Sequence, residues 1–131
     1  MTLHPIFILL LMFFFHIVDD YYLQGWLASA KQKRWWERNA PDKLYDRDYI
    51  MALCCHAFSW SFMIMLPIAF ATNWDMGWLF LAYPINMGIH AFIDDMKANK
   101  LKINLIIDQS LHFIQILSTW FIWYLTMGLT C

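Results

Sequence analysis

Ionisable side chains recur at a fixed spacing inside segments that are otherwise apolar. The first such stretch, FFFHIVDDYYLQ at residues 13–24, interrupts a run of hydrocarbon side chains with a histidine, two aspartates and a glutamine. His16, Asp20 and Gln24 are four residues apart, so on a helix they lie on one face. Asp19 points about 100° away from that face. Because ionisable groups are costly in an apolar environment, this spacing indicates a function for the shared face.

The same pattern returns twice later in the chain. The two later sets are His90, Asp94 and Lys97, followed by Asp108, His112 and Gln115. Each set places its members on one helix face, and His56 stands alone in the apolar segment that precedes them. Asp19 and Asp95 lie off the shared faces, and we interpret both as residues of helix ends.

Imidazole and carboxylate groups in this combination are ligands for divalent metal ions. We therefore predict a metal site built from His16, Asp20, His56, His90, Asp94, Asp108 and His112. These groups suffice for one or two ions, with Zn²⁺ favoured and Mn or Fe as alternatives. Asp94 would also act as a general base, and Gln24 would orient a ligand or a substrate oxygen. Gln109 and Lys97 would stabilise developing negative charge, unless Lys97 simply pairs with Asp94 three residues earlier.

The helices that must position these residues are long enough to cross a bilayer. Four apolar segments qualify, at residues 3–26, 49–72, 76–96 and 103–128. The chain is 61% hydrophobic and contains eight Trp, eleven Phe and nine Met, against roughly 45–50% apolar residues in soluble domains. We predict an all-α fold, an integral membrane antiparallel four-helix bundle with residues 1–131 as one transmembrane domain.

The basic residues predict how this bundle lies in the membrane. All nine Lys and Arg fall in the first and third connections, at residues 27–48 and 97–102. The positive-inside rule makes these loops cytoplasmic, in the inner membrane, with both termini outside. Trp35 and Trp36 suit the lipid headgroup region. No nucleic-acid partner is expected, because the net charge is −1 and acids interrupt the basic loop.

This topology carries the four histidines to one depth. At about 1.5 Å per residue, each lies about 9–15 Å from the cytoplasmic end of its helix. Asp20, Asp94 and Asp108 lie one turn shallower. The histidines and carboxylates are therefore expected to converge on one site in the cytoplasmic half of the bundle.

The chemistry of that site favours a metal-dependent hydrolase that acts on a lipid-like or amphiphilic substrate from the cytoplasmic side. One alternative is a carrier or channel for divalent metal ions or protons, which would have to be a homo-oligomer because four helices enclose little of a pathway. Another is a non-enzymatic membrane effector of the kind that phages encode, in which the buried polar groups only join helices. Membrane lipids are the expected surroundings in all three.

The combination of motifs resembles a known family. HIVDDYYLQ at 16–24, HAFIDDMK at 90–97 and DQSLH at 108–112, with His56 between the first two, fit the pattern H-x3-D-x3-Q, a lone His, H-x3-D-x2-K, then D-Q-x2-H. This pattern is similar to that of small four-helix integral membrane proteins of prokaryotes and phages, a family of unknown function. The resemblance covers the whole chain and implies the same fold and the same site residues, but it implies no reaction.

Overall fold

A computed structural model describes residues 3–128, and every regular element within that range is helical. The helices are α1 (Pro5–Val18), α2 (Leu27–Ala30), α3 (Lys33–Asn39), α4 (Asp48–Ala71), α5 (Met76–Ala98) and α6 (Leu105–Trp123). π-helical turns continue α1 over Asp19–Leu23 and α6 over Tyr124–Gly128, and a 3-10 turn covers Lys43–Tyr45. The two chain ends, predicted to lie outside the membrane, fall beyond the described residues.

Four of these helices are long and apolar enough to cross a membrane. The candidate spans are Pro5–Leu23, Lys43–Ala71, Met76–Ala98 and Leu105–Met127. They coincide with the four segments expected from the sequence to within a few residues at most ends, so the predicted all-helical fold with four spanning helices is confirmed.

Side-chain caps define where two of the long helices begin. The Asp75 carboxylate accepts a hydrogen bond from the backbone N–H of Trp78 at 3.0 Å and so caps α5. Asn104 caps α6 in the same way, through the N–H of Ile107 at 2.9 Å. Between α4 and α5 the chain reverses within residues 72–75, where Asn73 takes a positive φ of 49°. Such short connections force consecutive long helices to run antiparallel.

The long helices form a ring in which α1 packs against α4, α4 against α5, α5 against α6, and α6 against α1. Their contacts run in opposite directions along the sequence. Lys97 of α5 contacts Asp108 of α6, whereas Asn86, further back in α5, contacts Thr119, further on in α6. The same order relates α1 to α4. The bundle is therefore antiparallel, as predicted.

The interior of the bundle divides into two halves of different chemistry. The half beside the 72–75 turn, which we call the apolar half, has a core of Ile8, Met12, Trp60, Ile64, Met65, Ile68, Ile116 and Trp123. The half beside the basic connections, which we call the polar half, buries His16, Asp19, His56, His90, Asp94, Asp108 and His112. Outward-facing side chains are apolar along all four helices, for example Phe80 and Ile106, each 76% exposed. This distribution is compatible with a bundle that lies in a membrane.

The first connection is more ordered than the polar loop expected from the sequence. Helices α2 and α3 fold it back so that α2 packs against α4 and closes the end of the polar half. Trp35 and Trp36 contact each other edge to face, with ring centroids 5.0 Å apart. The Trp36 indole N–H also donates to the backbone oxygen of Ala30 at 2.7 Å. These contacts fix α2 beside the buried polar residues.

Candidate metal centre

The four long helices each contribute one histidine to the polar half, as their matched depths predicted. The Nε2 atoms of His56 and His90 are 3.1 Å apart, and the Nδ1 atoms of His90 and His112 are 3.2 Å apart. The ring centroid of His16 lies 5.7 Å from that of His112. All four side chains are at most 1% exposed. The imidazoles therefore form one continuous cluster at the centre of the bundle.

Two carboxylates join the cluster at its middle. Asp20 Oδ1 and Asp94 Oδ2 each lie 3.3 Å from His56 Nε2, from opposite sides of the ring of helices. Asp94 Oδ2 is also 3.8 Å from His90 Nε2. We call these four atoms, from Asp20, His56, His90 and Asp94, the four-atom centre.

Three separations within the four-atom centre, those measured from His56 Nε2, are close to the spacing between ligands of a tetrahedral metal ion. Metal–nitrogen and metal–oxygen bonds of about 2.0–2.2 Å place tetrahedral ligands roughly 3.3–3.5 Å from one another. The measured separations from His56 Nε2 are 3.1, 3.3 and 3.3 Å. Asp20 Oδ1 is buried without a hydrogen-bond partner, although it faces the centre. A cation would satisfy this oxygen together with its three neighbours.

Among the described residues, two groups of three have ligand atoms within 4.8 Å of one another. One group is Asp20, His56 and His90, and the other is His90, Asp94 and His112. His90 belongs to both, so it is the hub of the cluster. Five of the seven predicted ligands thus belong to a group of three that could hold an ion.

The other two predicted ligands have different partners. His16 Nδ1 accepts a hydrogen bond from the Trp60 indole at 2.8 Å, and its Nε2 lies 3.1 Å from the side-chain oxygen of Gln109. Both ring nitrogens are thereby engaged. Trp60 also stacks on His90, with ring centroids 4.0 Å apart. The sequence analysis did not name this tryptophan, although Trp60 lies four residues after His56 and therefore on the same face of α4.

Asp108 lies at the outer edge of the cluster. Its Oδ2 accepts hydrogen bonds from Lys97 Nζ at 2.8 Å and from Gln109 Nε2 at 3.0 Å. Its Oδ1 is 3.5 Å from His112 Nε2. The alternative expectation that Lys97 pairs with Asp94 is wrong, because Lys97 projects across to α6 rather than back along α5.

Lys31, at the end of α2, takes that place instead. Its ammonium donates to Asp94 Oδ2 at 2.5 Å, and its side chain is only 13% exposed. The sequence indicated merely one basic residue among many in the first connection. A search for it would have required knowing that α2 folds back onto the bundle.

A cavity of about 370 Å³ opens beside Lys31 and reaches Asp94. Its lining is Gln24, Ala28, Lys31, Gln32, Asp94, Lys97, Ala98 and Leu101. Gln24, predicted to orient a ligand or substrate, donates its side-chain N–H to the backbone oxygen of Asp20 at 2.7 Å. Its side-chain oxygen is buried without a partner. The cavity therefore connects the side of the basic loops with the four-atom centre.

Asp19 and Asp95, the two aspartates interpreted as residues of helix ends, have different surroundings. Asp95 is partly exposed, pairs with Lys100 at 3.1 Å and accepts from Asn99, as expected at a helix end. Asp19 was expected to do the same, but it is 1% exposed and accepts a hydrogen bond from Ser59. The reason is the ring of helices: a side chain turned 100° from the shared face of α1 still points at a neighbouring helix, here α4.

Together the fold and the site define a class, a small bundle of four membrane-length helices around a buried histidine–aspartate cluster. The family described as protein of unknown function DUF3307 matches residues 6–130, and the chain belongs to this family. The expected family resemblance is thereby confirmed. No curated protein and no solved structure matches the chain.

Proposed function

We propose that this protein is a membrane-embedded metal-binding protein that acts as a metal-dependent hydrolase on a lipid-like or amphiphilic substrate. The observation that carries the proposal is the group of Asp20, His56 and His90, whose ligand atoms lie close enough together to hold one ion, with Asp94 Oδ2 3.3 Å from His56 Nε2 beside it. Zn²⁺ suits this ligand set, with Mn or Fe as alternatives.

The charges of the polar half support one divalent cation. Four carboxylates of the polar half are buried or nearly buried, those of Asp19, Asp20, Asp94 and Asp108. Two ammonium groups pair with them: Lys31 contacts Asp94, and Lys97 contacts Asp108. With neutral imidazoles, the four negative and two positive charges leave two negative charges uncompensated. A buried uncompensated charge is strongly unfavourable, and one divalent cation removes both.

The hydrogen bonds support the same position for the ion. When His90 presents the lone pair of Nε2 to the centre, its Nδ1 carries the proton and donates to His112 Nδ1, 3.2 Å away. His112 then carries its own proton on Nε2 and donates to Asp94 Oδ1 at 3.3 Å. This arrangement leaves Asp94 Oδ2 directed at the centre. Each N–H proton in this series of hydrogen bonds from His90 to Asp94 thus has an acceptor.

The groups then take separate roles. We assign Asp20, His56 and His90 as the ligands, a set of two imidazoles and one carboxylate that is typical of hydrolytic zinc sites with one open position. A bound divalent cation polarises the substrate's carbonyl or phosphoryl oxygen and lowers the pKa of water toward about 7. Asp94, at the cavity, accepts the proton of the attacking water, and the Lys31 ammonium stabilises the developing negative charge.

The placement of the cavity supports a substrate that arrives from the lipid–water interface. The cavity lies at the end of the bundle that carries all nine basic residues, which the positive-inside rule assigns to the cytoplasmic side of the inner membrane. An amphiphile would present its polar group to Asp94 and Lys31 while its apolar part stays among the exposed hydrocarbon side chains of the helices.

Transport is the less favoured function. A path for metal ions or protons would have to continue from the four-atom centre through the apolar half. There, among the described residues, Trp60, Ile64 and Ile116 pack at the bundle axis with no exposure. A carrier would therefore need a pathway between subunits of a homo-oligomer.

Hydrolysis assays test the proposal. Detergent-purified protein is loaded with Zn²⁺ or Mn²⁺ and offered a panel of lipid carboxylic esters, amides and phosphoesters, with Asp94→Asn and chelator-treated protein beside it. We expect turnover of one substrate class that is lost in both controls. Metal-loaded wild type without activity on any member of the panel would contradict the hydrolase assignment. Ion flux in liposomes would favour the carrier instead.

A further inference from the structure

Asp19 and His56 place two unpartnered polar atoms opposite each other in the bundle interior. Asp19 Oδ2 and His56 Nδ1 are both buried without a hydrogen-bond partner, and they lie 3.6 Å apart. Each residue is 1% exposed. Leaving a carboxylate oxygen and an imidazole nitrogen unsatisfied is expensive, so their mutual approach requires an explanation.

The other atoms of both residues are already committed. Asp19 Oδ1 accepts the hydroxyl of Ser59, one turn along α4 from His56. His56 Nε2 belongs to the four-atom centre. An imidazole that binds a cation through Nε2 must carry its proton on Nδ1, which here faces Asp19 Oδ2. Ser59 therefore holds the carboxylate in place, and the carboxylate faces the remaining proton of His56.

We propose that Asp19 is the positioning residue for His56. Its carboxylate faces Nδ1 from 3.6 Å, favours the tautomer with the proton on Nδ1 that frees Nε2, and raises the basicity of Nε2 through its negative charge. The role rests on the proposed metal site, and it distinguishes Asp19 from Asp20, whose carboxylate faces the four-atom centre itself. The π-helical turn that starts at Asp19 lets the two adjacent acids face α4 and the bundle axis respectively.

The test compares Zn²⁺ affinity in wild type, Asp19→Asn and the matched control Asp95→Asn, which alters the outer acid of the other doubled pair. Apo protein in detergent is titrated with Zn²⁺ against a competing chelator, and Co²⁺ absorption reports the ligand geometry. We expect Asp19→Asn to weaken binding by about 10- to 100-fold and to change the Co²⁺ spectrum. Asp95→Asn should match the wild-type affinity within about twofold, because Asp95 pairs with Lys100 and Asn99 rather than with an assigned ligand.

Thermal unfolding of the apo proteins separates positioning from a merely structural role. The Asp19 carboxylate is buried with only one of its two oxygens hydrogen-bonded. Apo Asp19→Asn should therefore unfold at the wild-type temperature or above it. Wild-type affinity in Asp19→Asn would overturn the positioning role while leaving the metal site intact. Wild-type protein that binds no Zn²⁺ would overturn the metal site itself, and the positioning role with it.

A second variant covers the case in which Asp19→Asn does not fold. Asp19→Glu keeps the charge but moves the carboxylate by one methylene. We expect its Zn²⁺ affinity to fall between those of wild type and the asparagine variant, a loss smaller than the roughly 10- to 100-fold expected for Asp19→Asn. Affinity equal to that of wild type, in a folded glutamate variant, would also overturn the proposal.

Discussion

The two halves of the bundle use buried polar groups in different ways. In the apolar half, Asn86 Oδ1 accepts hydrogen bonds from Gln115 at 3.0 Å and from Thr119 at 2.9 Å. These side chains are neutral, and they join α5 to α6. In the polar half, three buried carboxylate oxygens lack a hydrogen-bond partner, and they belong to Asp19, Asp20 and Asp108.

The contrast separates interhelical hydrogen bonding from a site. Neutral amides and hydroxyls can satisfy one another, and atoms left without a partner in the apolar half, such as Gln115 Oε1 and Trp123 Nε1, carry no charge. Carboxylates accept but do not donate, so they depend on donors or on positive charge nearby. The polar half therefore requires positive charge that the apolar half does not. A variant in one half should therefore leave the property that belongs to the other half unchanged.

The largest effect is expected from His90→Ala, because His90 is the hub of both candidate ligand groups. Changing a partner that only orients a ligand costs about 10- to 100-fold in affinity, so removing a direct ligand should cost more than about 100-fold. Zn²⁺ competition titration measures the loss. His4→Ala is the control, since His4 lies at the start of α1 far along the chain from the cluster, and it should bind as wild type does.

Ile68→Ala should lower the stability of the protein and leave its Zn²⁺ affinity unchanged. Ile68 is fully buried in the apolar half, and its truncation leaves a cavity that costs about 2–5 kcal/mol of unfolding free energy. Denaturant unfolding in detergent micelles reports the change. Phe70→Ala, on the exposed side of the same helix, should leave stability nearly unchanged. A large loss of Zn²⁺ affinity in Ile68→Ala would show that the two halves are coupled.

Lys31→Met should strengthen metal binding. The Lys31 ammonium donates a hydrogen bond to Asp94 Oδ2, so it competes with a cation at the four-atom centre. Removing one charge-assisted hydrogen bond should raise Zn²⁺ affinity by roughly tenfold. Under the proposed mechanism the same variant loses hydrolytic activity, because the developing negative charge is no longer stabilised. Lys33→Met, two residues on and paired only with exposed acids, is the matched control.

The smallest effect is expected from Thr119→Val, which removes one hydrogen bond to Asn86. Interhelical hydrogen bonds between neutral groups in membrane proteins average about 0.6 kcal/mol, and the variant should lose about that much stability. Its Zn²⁺ affinity should equal that of wild type. A change in affinity here would mean that the network at Asn86 belongs to the site after all.

Much of the fold and part of the site could be read from the sequence. Apolar segment length and the positions of the basic residues predicted four antiparallel helices, and helical spacing predicted that His56, His90 and His112 meet. Spacing could not predict the partners of each atom. Whether His16 faces the four-atom centre or Trp60 depends on side-chain packing between α1 and α4.

The errors have a common physical origin. Helical spacing considers one face of one helix and treats connections as solvent-exposed. For this reason it gave Lys31 no role and placed Asp19 at a helix end. Lys31 reaches the site only because α2 folds back against α4. Asp19 is buried because a helix in a ring of four has neighbours on two sides. Both require knowledge of tertiary packing that no spacing rule contains.

The metal content of the purified protein shows whether the buried histidine–aspartate cluster holds an ion. Protein purified in detergent without chelators, and then equilibrated with Zn²⁺ and freed of excess, is measured by mass spectrometry beside His90→Ala. The account predicts one equivalent of a divalent metal in wild type and none in the variant. Wild-type protein that stays metal-free after equilibration would contradict the account, and the buried cluster would then be a network that joins the helices.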